Sequence, residues 1–280
     1  MKKRIITNQT IKSFEKYLIE NEKATATIEK YMRDIWLFAE YAAERTLDKA
    51  MLLDYKGRLE QSYTVRSANS MLAALNSFFR FLGWHDLCVK QFKVQKEAYC
   101  SEEKELTKAE YTALVRTAEK KKNERLSLVV QTICGTGIRV SELKSITVEA
   151  VRKGEAIVSC KGKTRKIFIV SALRKKLLRY ATEQKINSGI IFVTKNGKPL
   201  DRSNIWREMK SLCEQAGVSP KKVFPHNLRH LFARTFYGIE KDIAKLADIL
   251  GHSNINTTRI YIITTGAEHR RRMENMRLII

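Results

Sequence analysis

The sequence is short of several things, and each shortage excludes a class of function. Its five cysteines, Cys88, Cys100, Cys134, Cys160 and Cys213, form no CxxC pair and have no histidine at ligand spacing, which argues against a structural zinc site. Their odd number, and the lack of an apolar stretch after Met1-Lys2-Lys3-Arg4, point to a reducing interior, so the cytoplasm is the expected location. No run approaches the roughly 20 apolar residues that span a bilayer. The phosphate-cradling GxxxxGK[ST] loop is absent, and so is any cluster of carboxylates suited to two magnesium ions, which disfavours ATP-driven and metal-dependent nuclease chemistry. No cofactor is expected. Acidic residues are also scarce: 30 Asp and Glu face 53 Lys and Arg, for a formal charge of +23. An excess of this size, not confined to one basic tail, points to a polyanionic partner, with nucleic acid the leading candidate over a merely solubilising surface.

A length of 280 residues fits two modest domains. In the first part, Ile28, Met32, Ile35, Phe38, Ala39 and Ala42 recur on one helical face. Val65–Trp84 carries a second such face through Leu72, Leu75, Phe78, Phe79 and Leu82. With shorter helices near Ile11–Glu20 and Asp48–Glu60, these predict an all-helical unit over residues 1–92, its aromatic stripe serving as core and not as a base-stacking platform. The pattern fails between Lys90 and Glu105, and a linker is predicted over 93–105. Thr107-Lys108-Ala109-Glu110 then reads as a capping box that opens a second domain over 106–280. The charge divides unevenly: residues 1–100 hold 17 basic and 12 acidic side chains, the rest 36 and 18. Glu155–Cys160 and Arg165–Val170 predict a hairpin around Lys161-Gly162-Lys163-Thr164, and Ile190–Val193 a third short strand. The predicted class is mainly α with a small β-sheet.

Four boxes in the second domain carry the chemistry. They are Thr136-Gly137-Ile138-Arg139-Val140-Ser141-Glu142-Leu143, the hairpin turn with Lys161 and Lys163, His226-Asn227-Leu228-Arg229-His230, and Leu250-Gly251-His252 followed by Thr257, Thr258 and Tyr261. Singly each is weak, since an HxxR on a helix is commonplace and a lone arginine after a glycine is usually a surface residue. In this order, with His252 and Tyr261 nine residues apart, the set resembles the catalytic domain of the tyrosine site-specific recombinases of the Xer and phage-integrase type. The helical first unit is similar to that family's core-binding domain in size and position, and the resemblance implies two domains forming a clamp on duplex DNA.

The residues support this chemistry by themselves. Breaking an anionic phosphodiester without metal requires fixed positive charge at the transition state, and the planar forks of Arg139 and Arg229 match pairs of phosphate oxygens. A phenol, with an ordinary pKa near ~10, is a poor nucleophile unless a neighbour takes its proton. The resemblance makes Tyr261 the nucleophile, His226 the proton acceptor, His252 a hydrogen-bond donor to phosphate and Lys161 the acid that protonates the departing 5′ oxygen. Lys163, two residues on, is the alternative to Lys161. Glu142 is expected to brace Arg139 and His230 to support the pocket, while His85 and His269 have no motif context. The resemblance further implies a 3′-phosphotyrosyl intermediate, a Holliday junction, and a tetramer on two DNA sites, built of one chain or with a second recombinase. Type IB topoisomerase-like relaxation and a non-catalytic DNA-binding regulator are the rival readings. Chromosome-dimer resolution, integration and inversion are equally compatible with these residues. A tail helix over 267–280, with Arg270, Arg271 and Arg272 beside Met273, Met276 and Ile280, is expected to dock on a neighbouring subunit.

Overall fold

A computed structural model describes residues 4–43, 45–94, 102–160, 163–194, 196–262 and 266–276. The chain divides into two compact units, Met1–Lys96 and Glu97–Ile280.

The first unit is built from α1 (Asn8–Glu20), α2 (Thr25–Ala42), α3 (Lys49–Ser62) and α4 (Val65–Phe81). Side chains satisfy the free amides at three of the four starts: Thr7 with Thr10 in a reciprocal box, Asp48 on the Met51 amide and Thr64 on the Ser67 amide. Ile11, Phe14 and Leu18 of α1, Ile35 and Phe38 of α2, and Leu72, Leu75, Phe78 and Phe79 of α4 share one core. Each fully buried Leu or Phe contributes about 1.5–3 kcal/mol. Beyond α4 the chain is pinned by two asparagines that imitate a neighbouring strand. Asn76 donates to the Val89 carbonyl (2.8 Å) and accepts from the Val89 amide (2.9 Å), and Asn69 does the same with Phe92 at 2.9 and 2.7 Å. Lys90, Gln91 and Phe92, where the apolar pattern fails, are thereby held against the first unit.

The second unit opens with α5 (Lys108–Lys120), whose Thr107–Glu110 capping box is formed in both directions. α6 (Glu124–Thr136) and α7 (Val148–Lys153) follow, then an antiparallel hairpin of β1 (Glu155–Cys160) and β2 (Lys163–Phe168). Alternation sets its faces: Ala156, Val158 and Ile167 enter the core, while Ile157 and Phe168 are exposed. The expected third strand does not form. Ile190 and Val193 make only isolated bridges, to Thr147 and to Pro199. The two residues bridge to different partners, and Pro199 has no amide with which to extend a ladder; Ile191 and Phe192 are buried as core side chains instead. The sheet therefore has two strands among the described residues. Then come α8 (Ser171–Glu183), α9 (Arg202–Lys210), α10 (Cys213–Ala216), α11 (Pro225–Glu240), α12 (Ile243–Leu250), α13 (Ile255–Arg259) and α14 (Gly266–Asn275). Among the described residues no helix is long and apolar enough to cross a membrane.

Candidate active site

Two helix ends and one helix face converge on the site. α6 stops at Gly137 and α12 at Gly251, both left-handed, with φ of +64° and +65°. A Cβ on Gly137 would lie 2.5 Å from the Phe232 ring, so only glycine fits there. α11 crosses between these ends, and its i, i+3, i+4 positions place His226, Arg229 and His230 on one face.

Arg229 is the centre of the arrangement and is only 1% exposed. Its guanidinium donates to the Gly137 carbonyl and to the Leu250 carbonyl (2.6 Å). These oxygens belong to the C-terminal turns of α6 and α12, where the helix dipoles are negative, which offsets part of the cost of burying a cation. Burial, followed by repulsion from Arg139, lowers its pKa to about 10, so it remains charged at neutral pH. Its Nε has no hydrogen-bond partner among the described residues. A buried cationic N–H of this kind is suited to an anion's oxygen.

Arg139 follows α6 and opens the 3-10 turn Val140–Ser145. Glu142, 3% exposed, accepts from the Arg139 amide (2.9 Å) and from its Nη1 (3.0 Å). Arg165 of β2 adds a two-pronged contact, with Nη1 and Nη2 each 2.8 Å from a Glu142 oxygen, and donates from Nε to the Ile249 carbonyl at 3.0 Å. Burial alone would raise the pKa of Glu142; the Arg165 fork and the Arg139 amide and guanidinium outweigh it and hold the carboxyl down at about 2.

Tyr261 follows α13 and is 6% exposed. Its hydroxyl lies 3.2 Å from His226 Nε2, and its ring stacks on His230 with centroids 4.2 Å apart and planes 17° from parallel. His252 and the Arg229 guanidinium approach the same ring at 5.1 and 5.9 Å. His252 is held from both sides: Nε2 is 3.1 Å from Arg229 Nη2 and Nδ1 is 2.9 Å from Thr258 Oγ1. Since Arg229 can only donate, Nε2 accepts, and the neutral ring carries its proton on Nδ1 toward Thr258. All three imidazoles are kept neutral. Burial first, then nearby cations, lowers His226; burial, then His226 and Arg229, brings His230 to about 4; burial, then Arg229 and Arg139, brings His252 to about 4.

Of the residues singled out in the sequence, Arg139, Glu142, His226, Arg229, His230, His252 and Tyr261 are thus brought together. Lys161 lies outside the described residues, and Lys163 is placed only as the first residue of β2. Two further residues escaped the sequence reading. One is Arg165; it shares its strand face with buried Ile167, and a cation there signals a buried acid. The other is Arg202, which opens α9 and lines, with Arg139, Lys144, Trp206, His226 and Arg229, a cavity of about 820 Å³. Among the described residues no group of three or more His, Cys, Asp or Glu side chains is placed to hold a metal.

Sequence comparison matches residues 104–267, which contain this whole arrangement, to the phage integrase family. The chain belongs to that family. Residues 11–86 match the integrase N-terminal SAM-like domain. The chain is 31% identical to the tyrosine recombinase XerA of Pyrococcus horikoshii, over 98% of this chain and 96% of that protein. It is 27% identical to the tyrosine recombinase XerD of Oceanobacillus iheyensis, over 89% and 91%. In fold this integrase-family chain resembles one chain of a lambda integrase tetramer bound to a Holliday junction, with a TM-score of 0.76 at 17% identity, over 92% of this chain and 77% of that one. Family membership makes it a tyrosine recombinase, an enzyme that cleaves and rejoins DNA.

Proposed function

We propose that Tyr261 is the nucleophile of a site-specific recombination reaction on double-stranded DNA, with the first unit as a core-binding domain and the second as the catalytic domain. The observation that carries this is the contact between the Tyr261 hydroxyl and His226 Nε2 beside two arginine forks. A neutral His226 with Nε2 free accepts the phenol proton as the oxygen attacks phosphorus. Arg139 and Arg229 take the charge that builds on the non-bridging oxygens. The bond to the 5′ oxygen breaks, and that oxygen takes a proton, a role we assign to Lys161, with Lys163 as the alternative. The product is a 3′-phosphotyrosyl link, which keeps the energy of the broken bond. Attack by a 5′-hydroxyl of a partner strand restores the phosphodiester and returns the proton to Tyr261, so neither ATP nor metal is consumed. His252 Nε2 accepts from Arg229, so donating to a phosphate oxygen requires that nitrogen to gain a proton, which a bound anion favours.

Exchange between two sites in this way calls for four subunits and passes through a Holliday junction, and the cytoplasm is where we place it. The test has two steps. Genomic fragments are first selected by binding to the Tyr261→Phe protein and sequenced. Nicked duplexes of the recovered sequence are then offered to both proteins. The unaltered protein is expected to form a covalent adduct and Tyr261→Phe none, with equal DNA affinity. An adduct in the variant would remove Tyr261 from the reaction, and relaxation of supercoils without strand exchange would favour a topoisomerase.

A further inference from the structure

Glu142 presents a puzzle of competition. It is a nearly inaccessible carboxylate within bonding distance of an arginine whose proposed task is to hold a phosphate. A carboxylate and a phosphate oxygen are rivals for the same fork, and a buried acid with Arg139 as its only cationic partner would draw the whole guanidinium inward. Arg165 changes that balance. Its two terminal nitrogens cover both Glu142 oxygens at 2.8 Å, leaving Arg139 one bond from Nη1 and one from its own amide. Among the described residues, the other terminal nitrogen of Arg139 has a single long contact, 3.5 Å to the Gly251 carbonyl.

We propose that Arg165 is a positioning residue for Arg139: by occupying Glu142 it keeps the Arg139 fork turned toward the phosphate. The inference rests on the recombinase reading above. Three features of the fold support it. Arg165 shares the inner face of β2 with Ile167, so its side chain cannot swing into solvent without leaving the core face. Its Nε is tied to the Ile249 carbonyl. Gly251 leaves the space its stem occupies, since a Cβ there would sit 2.8 Å from Arg165 Cδ. With Arg165 and Arg139 in place, Glu142 is a carboxylate at neutral pH, the charged form that competes for a fork.

The distinctive consequence is that removing the rival should restore what removing the guard has lost. The experiment measures single-turnover formation of the Tyr261 adduct, DNA affinity and melting temperature for wild type, Arg165→Lys, Arg165→Gln, Glu142→Gln and the two Glu142→Gln double variants. Lysine keeps the charge but covers only one carboxylate oxygen. Arg165→Lys is therefore expected to slow adduct formation about 10-fold or more at saturating DNA, with affinity nearly unchanged. Adding Glu142→Gln should recover much of the rate, so that the double variant is faster than Arg165→Lys alone. A role confined to stability would lower the melting temperature without this reversal. An Arg165→Lys rate equal to wild type, or a double variant no faster than Arg165→Lys, would overturn the inference while leaving the wild-type adduct intact. Absence of the wild-type adduct itself would overturn the recombinase reading, and this inference with it.

Discussion

The Tyr261 hydroxyl and His226 Nε2 are 3.2 Å apart, already within hydrogen-bond reach. In the proposed role of proton acceptor His226 must be neutral, and burial, helped by Arg229, lowers its pKa below the ordinary histidine value. Adduct formation is therefore expected to stay level as pH falls from 8 to about 6.5, the ordinary value, and to decline only below it. A rate already halved above about 7 would show that another group accepts the proton.

The two arginines proposed to bind phosphate should separate in their effects. Arg229→Lys loses the contacts to the Gly137 and Leu250 carbonyls, so a fall in stability of about 1.5–3 kcal/mol is expected beside a cleavage loss of ~100-fold or more. Arg139 is partly exposed, and Arg139→Lys should slow cleavage severely with little change in melting temperature. Urea titration alongside single-turnover cleavage reads both quantities.

Acid should loosen the second unit in a defined window. His230 and His252 have folded-state pKa values near 4, below the unfolded value, so the unfolded chain binds more protons between the two. The stability they contribute is complete above about 6.5 and is lost as pH falls through about 4. Glu142, held at about 2, has its contribution above its unfolded value and loses it only at still lower pH. Denaturation followed between pH 7 and 4 should show the histidine loss, and His230→Gln should reduce it. A stability independent of pH across that range would contradict the burial described for these rings.

The tail offers a test of assembly. Met273 of α14 and Met276 just beyond its end are 58% and 59% exposed, an apolar pair left open beside basic Arg270 and Arg271; Ile280, the third member of the expected stripe, lies outside the described residues. Truncation after Gly266 should leave single-site DNA affinity unchanged and lower the yield of two-site complexes. Equal yields on native gels would assign the tail to its own subunit.

Much of this was legible in the sequence because the informative residues carry their partners locally. Thr107 and Glu110 are three apart, the helical faces repeat within each helix, and the spacing of His226, Arg229 and His230 is one turn of α11. What stayed hidden depends on contacts across the chain. Arg165 meets Glu142 from 23 positions away, and no local pattern joins them. Ile190–Val193 has the composition of a strand, yet buried side chains and a proline partner settle it otherwise. The backbone carbonyls that hold Arg229 are invisible to any motif, since every residue has one.

The bridging of two helix ends by Arg229 constrains how this enzyme can change. Many active sites are built at the expense of the scaffold, so that silencing a functional residue leaves a sturdier protein. Here the cation proposed to meet the substrate also fastens α6 to α12, so a substitution that inactivates the enzyme at that position is expected to weaken the domain as well. Lineages that abandoned catalysis while keeping this architecture would therefore be expected to retain Arg229 and to lose Tyr261 first. An arginine preserved in a relative that lacks the tyrosine would then mark inherited architecture, not residual activity.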